Sequence, residues 1–268
     1  MASVLLEART GPGVVTLTLN RPAVRNALDS ELVGMMSDRL EKLAEDPTLR
    51  ALVLQGSGDT FSSGADLATM RLMADASPDE NLDDARRLLS LIAKLNQFPV
   101  PTLARVQGPA FGGALGLIAA CDIALAASSA RFALSEVRLG LAPAIISPYL
   151  ARAMGYRNLR RYMLTGELFD AEAARRMGLI QIVAPAEGLE AALAEVLGEL
   201  LKGGPEAIRA AKVLIRRLQP AFQDEIRLAD ETLALLARLR ASPEGREGLS
   251  AFLEKRRPTW RASAHEPE

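Results

Sequence analysis

The sequence predicts an α/β fold: buried, partly parallel strands alternating with helices, followed by an all-helical C-terminal region. Three observations predict it. Short aliphatic and β-branched runs with little polar alternation recur up to about residue 187, as in strands covered on both faces. Strand signals then stop, and the rest of the 268-residue chain reads as helices separated by Gly and Pro breaks. Hydrophobic residues make up 49% of the chain and aromatics only 4%, so the core is aliphatic.

Residues 14–19, VVTLTL, read as a strand that ends at the Asn20-Arg21-Pro22 turn. Asp29 and Ser30 cap a helix running toward Ala44, with Leu32, Met36 and Leu40 on one stripe. Leu52-Val53-Leu54 is a buried strand leading into the Gly56-Ser57-Gly58 turn. Residues 70–81 carry Ser77-Pro78-Asp79 and read as a mobile loop. Residues 85–95 have helical spacing at Leu88, Leu89, Ile92 and Leu95, and Pro99-Val100-Pro101 stops them. Residues 102–106 are the next strand, Gly112-Gly113 open a small-residue helix, and residues 122–126 and 131–134 are short strands. Helices are expected over 189–201, 205–218, 221–240 and 243–255. The organisation is therefore an α/β body, 1–187, and a helical region, 188–268, whose apolar stripes must be buried on the same subunit or a neighbour.

The chain has one His and one Cys. His265 lies in a polar tail, so imidazole triads and multi-His metal sites are excluded, and no metal is expected. Cys121 has no disulfide partner and reads as a small buried core residue. Lys+Arg is 32 against Asp+Glu 33, which gives no electrostatic case for nucleic acid or an acidic membrane surface. The longest apolar run, at 114–120, is far short of the roughly 18 residues of a membrane span. No secretory signal is visible in MASVLLEART, and a cytoplasmic location is the expectation.

Three segments carry chemistry. They are FSSGADL (61–67), VQGPAFGGALG (106–116) and FALSEVRLGL (132–141). The first two are glycine-bearing loops where backbone can approach a ligand closely. Gly112-Gly113 stand at a helix start, whose free N–H groups favour an anion. Two such N–H groups make an oxyanion hole; tight turns without a ligand are the plainer reading of the same glycines. Glu136 sits among Phe132, Leu134, Val137, Leu139 and Leu141. It is either a solvated turn residue or a buried carboxyl with a raised pKa suited to proton transfer.

In this order and spacing the three segments resemble the enoyl-CoA hydratase/isomerase (crotonase) superfamily. So do Leu19-Asn20-Arg21-Pro22, Asn26-Ala27-Leu28, Cys121-Asp122-Ile123, Leu164-Thr165-Gly166 and residues 252–258, FLEKRRP. The resemblance covers nearly the whole chain. It implies a crotonase (ClpP-like) spiral of ββα units with a C-terminal helical oligomerisation region, and a trimer or dimer of trimers. It implies an acyl-CoA thioester as substrate and no cofactor besides coenzyme A carried by that substrate.

By resemblance, the Ala65 and Gly113 N–H groups hold the thioester oxygen and Glu136 moves the proton. Arg25, Ser63, Ala65, Asp66, Leu67, Met70, Gly112, Gly116 and Lys255 match positions that meet CoA or the acyl group. The stretches 108–122 and 134–171, with Asn81-Leu82-Asp83-Asp84-Ala85, are most similar to bacterial 3-methylglutaconyl-CoA and carboxygeranoyl-CoA hydratases. One departure matters. A second glutamate of the well-known hydratases falls on Gly116, so that carboxylate is missing. Hydration of a 2-enoyl-CoA is the favoured reading. Δ3,Δ2-enoyl-CoA isomerisation by the single glutamate, and a non-catalytic CoA-binding role, stay open.

Overall fold

The structure is a computed structural model that describes residues 3–218 and 224–259; His265 lies outside them. β1 (Leu5–Gly11) and β2 (Val14–Leu19) form an antiparallel pair. β3 (Ala51–Gly56), β4 (Thr102–Val106), β6 (Ile123–Ala127) and β9 (Ile182–Ala184) extend it as parallel strands, in the order β1-β2-β3-β4-β6-β9. A small second sheet joins β5 (Ala110–Phe111), β7 (Arg131–Ala133) and β8 (Phe169–Asp170). The helices of the body are α1 (Ser30–Ala44), α2 (Leu67–Asp75), α3 (Pro78–Asn96), α4 (Gly113–Ala120), α5 (Ser147–Met154), α6 (Tyr156–Thr165) and α7 (Ala171–Met177). The C-terminal helices are α8 (Leu189–Lys202), α9 (Pro205–Leu218), α10 (Asp224–Ala241) and α11 (Pro243–Leu253).

Side chains alternate across the strands, so each face of the large sheet buries its own set. Val15, Leu17, Leu19, Leu52, Leu54 and Val106 join Leu32, Met36, Leu91, Ile92 and Leu115 of α1, α3 and α4 in the main core. Val14, Val53, Leu103 and Leu125 face the other way and are covered by Leu189 and Leu193 of α8. This double cover explains the near-continuous apolar strands.

The segment at 70–81 is not a loop. Asp66 caps α2 by accepting the N–H groups of Ala68 and Thr69. Ser77 and Glu80 form a capping box at the start of α3, with Pro78 in its first turn. Ser77-Pro78-Asp79 is thus a helix start, and α3 begins a full two turns before Ala85.

In the tail, Leu233 and Leu236 of α10 are buried in the main core, and Leu235 packs against it. That stripe covers its own subunit; Leu228 falls outside the described side chains. α9 is turned the unusual way round. Its charged residues face the body: Arg209 donates to the Leu49 carbonyl at 3.0 Å, and Lys212 donates to the Val100 carbonyl at 2.9 Å and to Asp122 at 2.6 Å. Burial lowers the Lys212 pKa, although the neighbouring Asp122 pulls it the other way. The apolar side chains of Val213, Leu214 and Ile215 are exposed. Beside this anchor, burial pushes the Cys121 thiol up to about 12, so it is no nucleophile near neutral pH.

Candidate active site

The site forms where two loops run side by side. The Phe111 N–H donates to the Ser62 carbonyl at 3.1 Å, and Ser62 and Ala110 form a parallel bridge. Three residues further along the two segments stand Ala65 and Gly113. Gly64 lies so close that a Cβ there would meet the Phe111 carbonyl oxygen at 2.6 Å, and its φ is +84°. Only glycine fits both constraints.

Leu28 completes the frame. Its N–H donates to the Gly64 carbonyl at 2.8 Å and its carbonyl accepts from the Asp66 N–H at 3.2 Å. This bridge leaves the Ala65 N–H without a hydrogen bond among the described residues. Gly113 is the first residue of α4, and its N–H is likewise unbonded, as helix-start donors are.

Glu136 reaches the same place through the small sheet. Phe111 of β5 pairs with Ala133 of β7, and the Gly112 N–H donates to the Ala133 carbonyl at 3.0 Å. A 3-10 turn at Ser135–Leu139 follows and carries Glu136. Its Oε1 lies 3.1 Å from where a Cβ on Gly112 would stand, and Gly112 has φ +53°. Glycine here is what lets the carboxylate approach the oxyanion loop. Oε2 is buried with no hydrogen-bond partner. This desolvation raises the Glu136 pKa from 4.5 to about 7. A carboxyl that exchanges its proton near neutral pH thus stands beside two unbonded N–H groups.

The expected second acid position is closed. A Cβ on Gly116 would lie 2.3 Å from Ile146 Cγ2 and 3.1 Å from Ile92 Cδ1. Gly116 is therefore a packing residue of α4 under two isoleucines, with no room for a longer side chain. Asp66 has a structural role as well. Its carboxylate caps α2 and meets Arg21 at 2.9 Å. Burial works against its charge, but these hydrogen bonds hold its pKa below the ordinary carboxylate range. Arg21 meets Asp29, the cap of α1, at 2.8 Å as well, so one guanidinium ties together the starts of two helices.

The other expected contacts divide. Arg25 is joined to the loop, since its carbonyl accepts from the Ser63 N–H at 2.9 Å, and its side chain is exposed. Leu67 is exposed on α2 with Met70 half-buried one turn on. Lys255 is exposed after α11, and its ammonium makes no hydrogen bond or ion pair among the described residues. Asp83 pairs with Arg86 at 3.0 Å and Asp84 with Arg240 at 2.9 Å, so neither replaces the missing acid. Sequence reasoning missed Leu28, Arg21 and Ile146. Residues 19–28 were singled out by the resemblance, but nothing local announced the roles of Arg21 and Leu28. Among the described residues no cluster of His, Cys, Asp or Glu fits a metal ion, and no helix is long and apolar enough to cross a membrane.

The sequence profile of the enoyl-CoA hydratase/isomerase family matches residues 9–263. The chain belongs to this family. It is 36% identical to the 2,3-dehydroadipyl-CoA hydratase of Escherichia coli over 92% of this chain and 95% of that one. It is 34% identical to the hydroxycinnamoyl-CoA hydratase-lyase of Pseudomonas fluorescens, covering 90% and 89%. An enoyl-CoA hydratase from Mycobacterium avium, solved by crystallography, superposes with a TM-score of 0.86 at 38% identity, covering 97% of this chain and all of that one. The fold is the crotonase fold, and the chain is an enzyme of the hydratase/isomerase type.

Proposed function

We propose that the protein hydrates a 2-enoyl-CoA, with a 3-branched glutaconyl thioester such as 3-methylglutaconyl-CoA as the favoured substrate. The observation that carries this is the Glu136 carboxyl, with its Oε2 buried and unpartnered, beside the unbonded Ala65 and Gly113 N–H groups. The two N–H groups receive the thioester oxygen and hold the charge that builds up there as an enolate forms. Water adds its hydroxyl to C3, protonated Glu136 gives its proton to C2, and the proton shed by the water returns to Glu136. Arg25, Ser63, Leu67 and Met70 hold the CoA and the start of the acyl chain, and Lys255 supplies a further cation for CoA. The hydratase names of the relatives support addition of water, and the resemblance of residues 108–122 and 134–171 supports the glutaconyl branch.

A second reading, Δ3,Δ2-enoyl-CoA isomerisation, is favoured by the apolar filling at Gly116. With Ile146 in the place of a second acid, Glu136 alone would take a proton from C4 and return one to C2. Product masses from 3-methylglutaconyl-CoA, crotonyl-CoA and a 3-enoyl-CoA in heavy-oxygen water decide between them. Uptake of labelled water supports hydration. A conjugated product without label supports isomerisation. Turnover of none, with CoA binding retained in calorimetry, leaves a non-catalytic CoA-binding protein. For assembly we infer a trimer or dimer of trimers, supported by the outward apolar face of α9. Sedimentation at a single 28.7 kDa species would refute it.

A further inference from the structure

Both N–H donors of the site lean on Leu28. Its backbone bridges Ala65, through the Gly64 carbonyl at 2.8 Å and the Asp66 N–H at 3.2 Å. Its side chain meets Gly113, where a Cβ would stand 3.5 Å from Leu28 Cδ1. The place of Leu28 therefore sets how the two donors stand relative to each other.

Arg21 holds that place. Its Nη1 donates to the Ala27 carbonyl at 2.6 Å and to Asp66 at 2.9 Å, and its Nη2 meets Asp29 at 2.8 Å. These partners are the residues before and after Leu28 and the residue after Ala65. The Arg21 side chain is 18% exposed. Its backbone is anchored in turn, because its N–H donates to Asn26 Oδ1 at 2.9 Å. Asn26 is buried, and its Nδ2 donates to the carbonyls of Ser57 and Thr60 at 2.8 and 2.7 Å, just past β3. The helix caps do not use this guanidinium. Asp29 and Asp66 each cap with Oδ1 and turn Oδ2 to Arg21. Each carboxylate thus has one oxygen for its helix and one for the clamp.

We propose that Arg21 is a positioning residue for the oxyanion hole, acting on the Ala65 and Gly113 N–H groups through Leu28 and Asp66. This deepens the 2-enoyl-CoA reading and rests on its placing of the thioester oxygen at those two groups. Two carboxylates and a carbonyl in three directions need the planar fork of a guanidinium; a lysine ammonium is a point charge and does not span them. Without the fork, the Leu28 and Asp66 segments shift against each other, and the donors lose their aim at the oxygen.

The test compares the unaltered protein with Arg21→Lys by kcat and by the absorption band of bound 4-aminocinnamoyl-CoA. Hydrogen bonds to the thioester oxygen draw charge from the amino group along the conjugated chain, so the band moves to the red on binding. Arg21→Lys loses most of this red shift and lowers kcat by about 10–100-fold. Its Kd for free coenzyme A, which has no thioester oxygen, is unchanged in calorimetry. A full red shift with full kcat in Arg21→Lys overturns the proposal, and so does an equal loss of free coenzyme A binding, the mark of a general support. If Arg21→Lys does not fold, Asp66→Asn decides. Asparagine still caps α2 with its oxygen but turns an NH2 group to the guanidinium, and the same loss of red shift is expected. A band that does not move in the unaltered protein refutes the oxyanion placing and the proposal with it. A full red shift without turnover of any 2-enoyl-CoA refutes hydration alone, and the shift in the variants then decides the role of Arg21.

Discussion

Replacing Glu136 by Gln tests burial and chemistry together. Desolvation raises this carboxyl from 4.5 to about 7. Between those values the unfolded chain is ionised while the folded one still holds its proton. Stability attributable to Glu136 is therefore full below about pH 4.5, declines as pH rises, and is gone above about 7. At 1.36 kcal/mol per pH unit the loss is about 3 kcal/mol. Gln does not ionise, so Glu136→Gln gains on the parent as pH rises, from no pH-dependent difference near pH 4 to about 3 kcal/mol at pH 8. Any constant cost of the amide shifts both ends equally and leaves the slope intact. Urea unfolding of both proteins at pH 4, 5, 6, 7 and 8 gives the curve. The same variant loses about 10²–10⁴-fold in kcat/KM. A stability difference that is flat with pH would refute the buried, raised carboxyl, and full activity would refute its role.

Other outcomes follow from the same geometry. Gly116→Ala places a methyl against Ile146 and destabilises by about 1–3 kcal/mol, and Gly116→Ala with Ile146→Ala costs less than the two single losses added together in thermal melts. Asp66→Ala removes the cap of α2 and one partner of Arg21, lowering stability by about 1–2 kcal/mol in urea. Because Ala65 is its neighbour, kcat falls with it. Lys212→Met leaves the Val100 carbonyl without this donor and takes the cation from Asp122, which keeps only its Thr102 donors, and lowers stability by about 1–3 kcal/mol in urea unfolding. Hydration by protonated Glu136 slows as pH rises through about 7, which a pH profile of kcat/KM reads directly.

Much of this was legible in the sequence. The aliphatic strands announced a sheet covered on both faces, and the helices after residue 188 fall within a few residues of their expected bounds, since Gly and Pro punctuate them. Ala65 lies beside the Gly113 loop because Ser62 bridges Ala110, and Glu136 beside it because β5 and β7 pair. What stayed hidden depends on long-range contact. The Asp66 cap and its pair with Arg21 join residues 45 positions apart, which only the fold brings together. Ser77-Pro78-Asp79 looked like a turn because the same residue types start helices. Ile146 closes the space at Gly116 from another helix, and no local pattern announces that.

The inverted α9 bears on how the chain can be divided. Arg209 and Lys212 supply donors to carbonyls that sit just ahead of β3 and β4. Arg50, at the start of β3, donates in return to the carbonyls of Leu201 and Gly203. A protein cut near residue 188 would leave the entrances of two central strands with unmet polar groups, and would also strip α8 from the sheet. The change of pattern at that point is a change of secondary structure only. The helical region covers one face of the sheet with α8, adds α10 to the main core on the other, and ties α9 to the strand entrances, so a shortened chain would expose apolar surface on both faces.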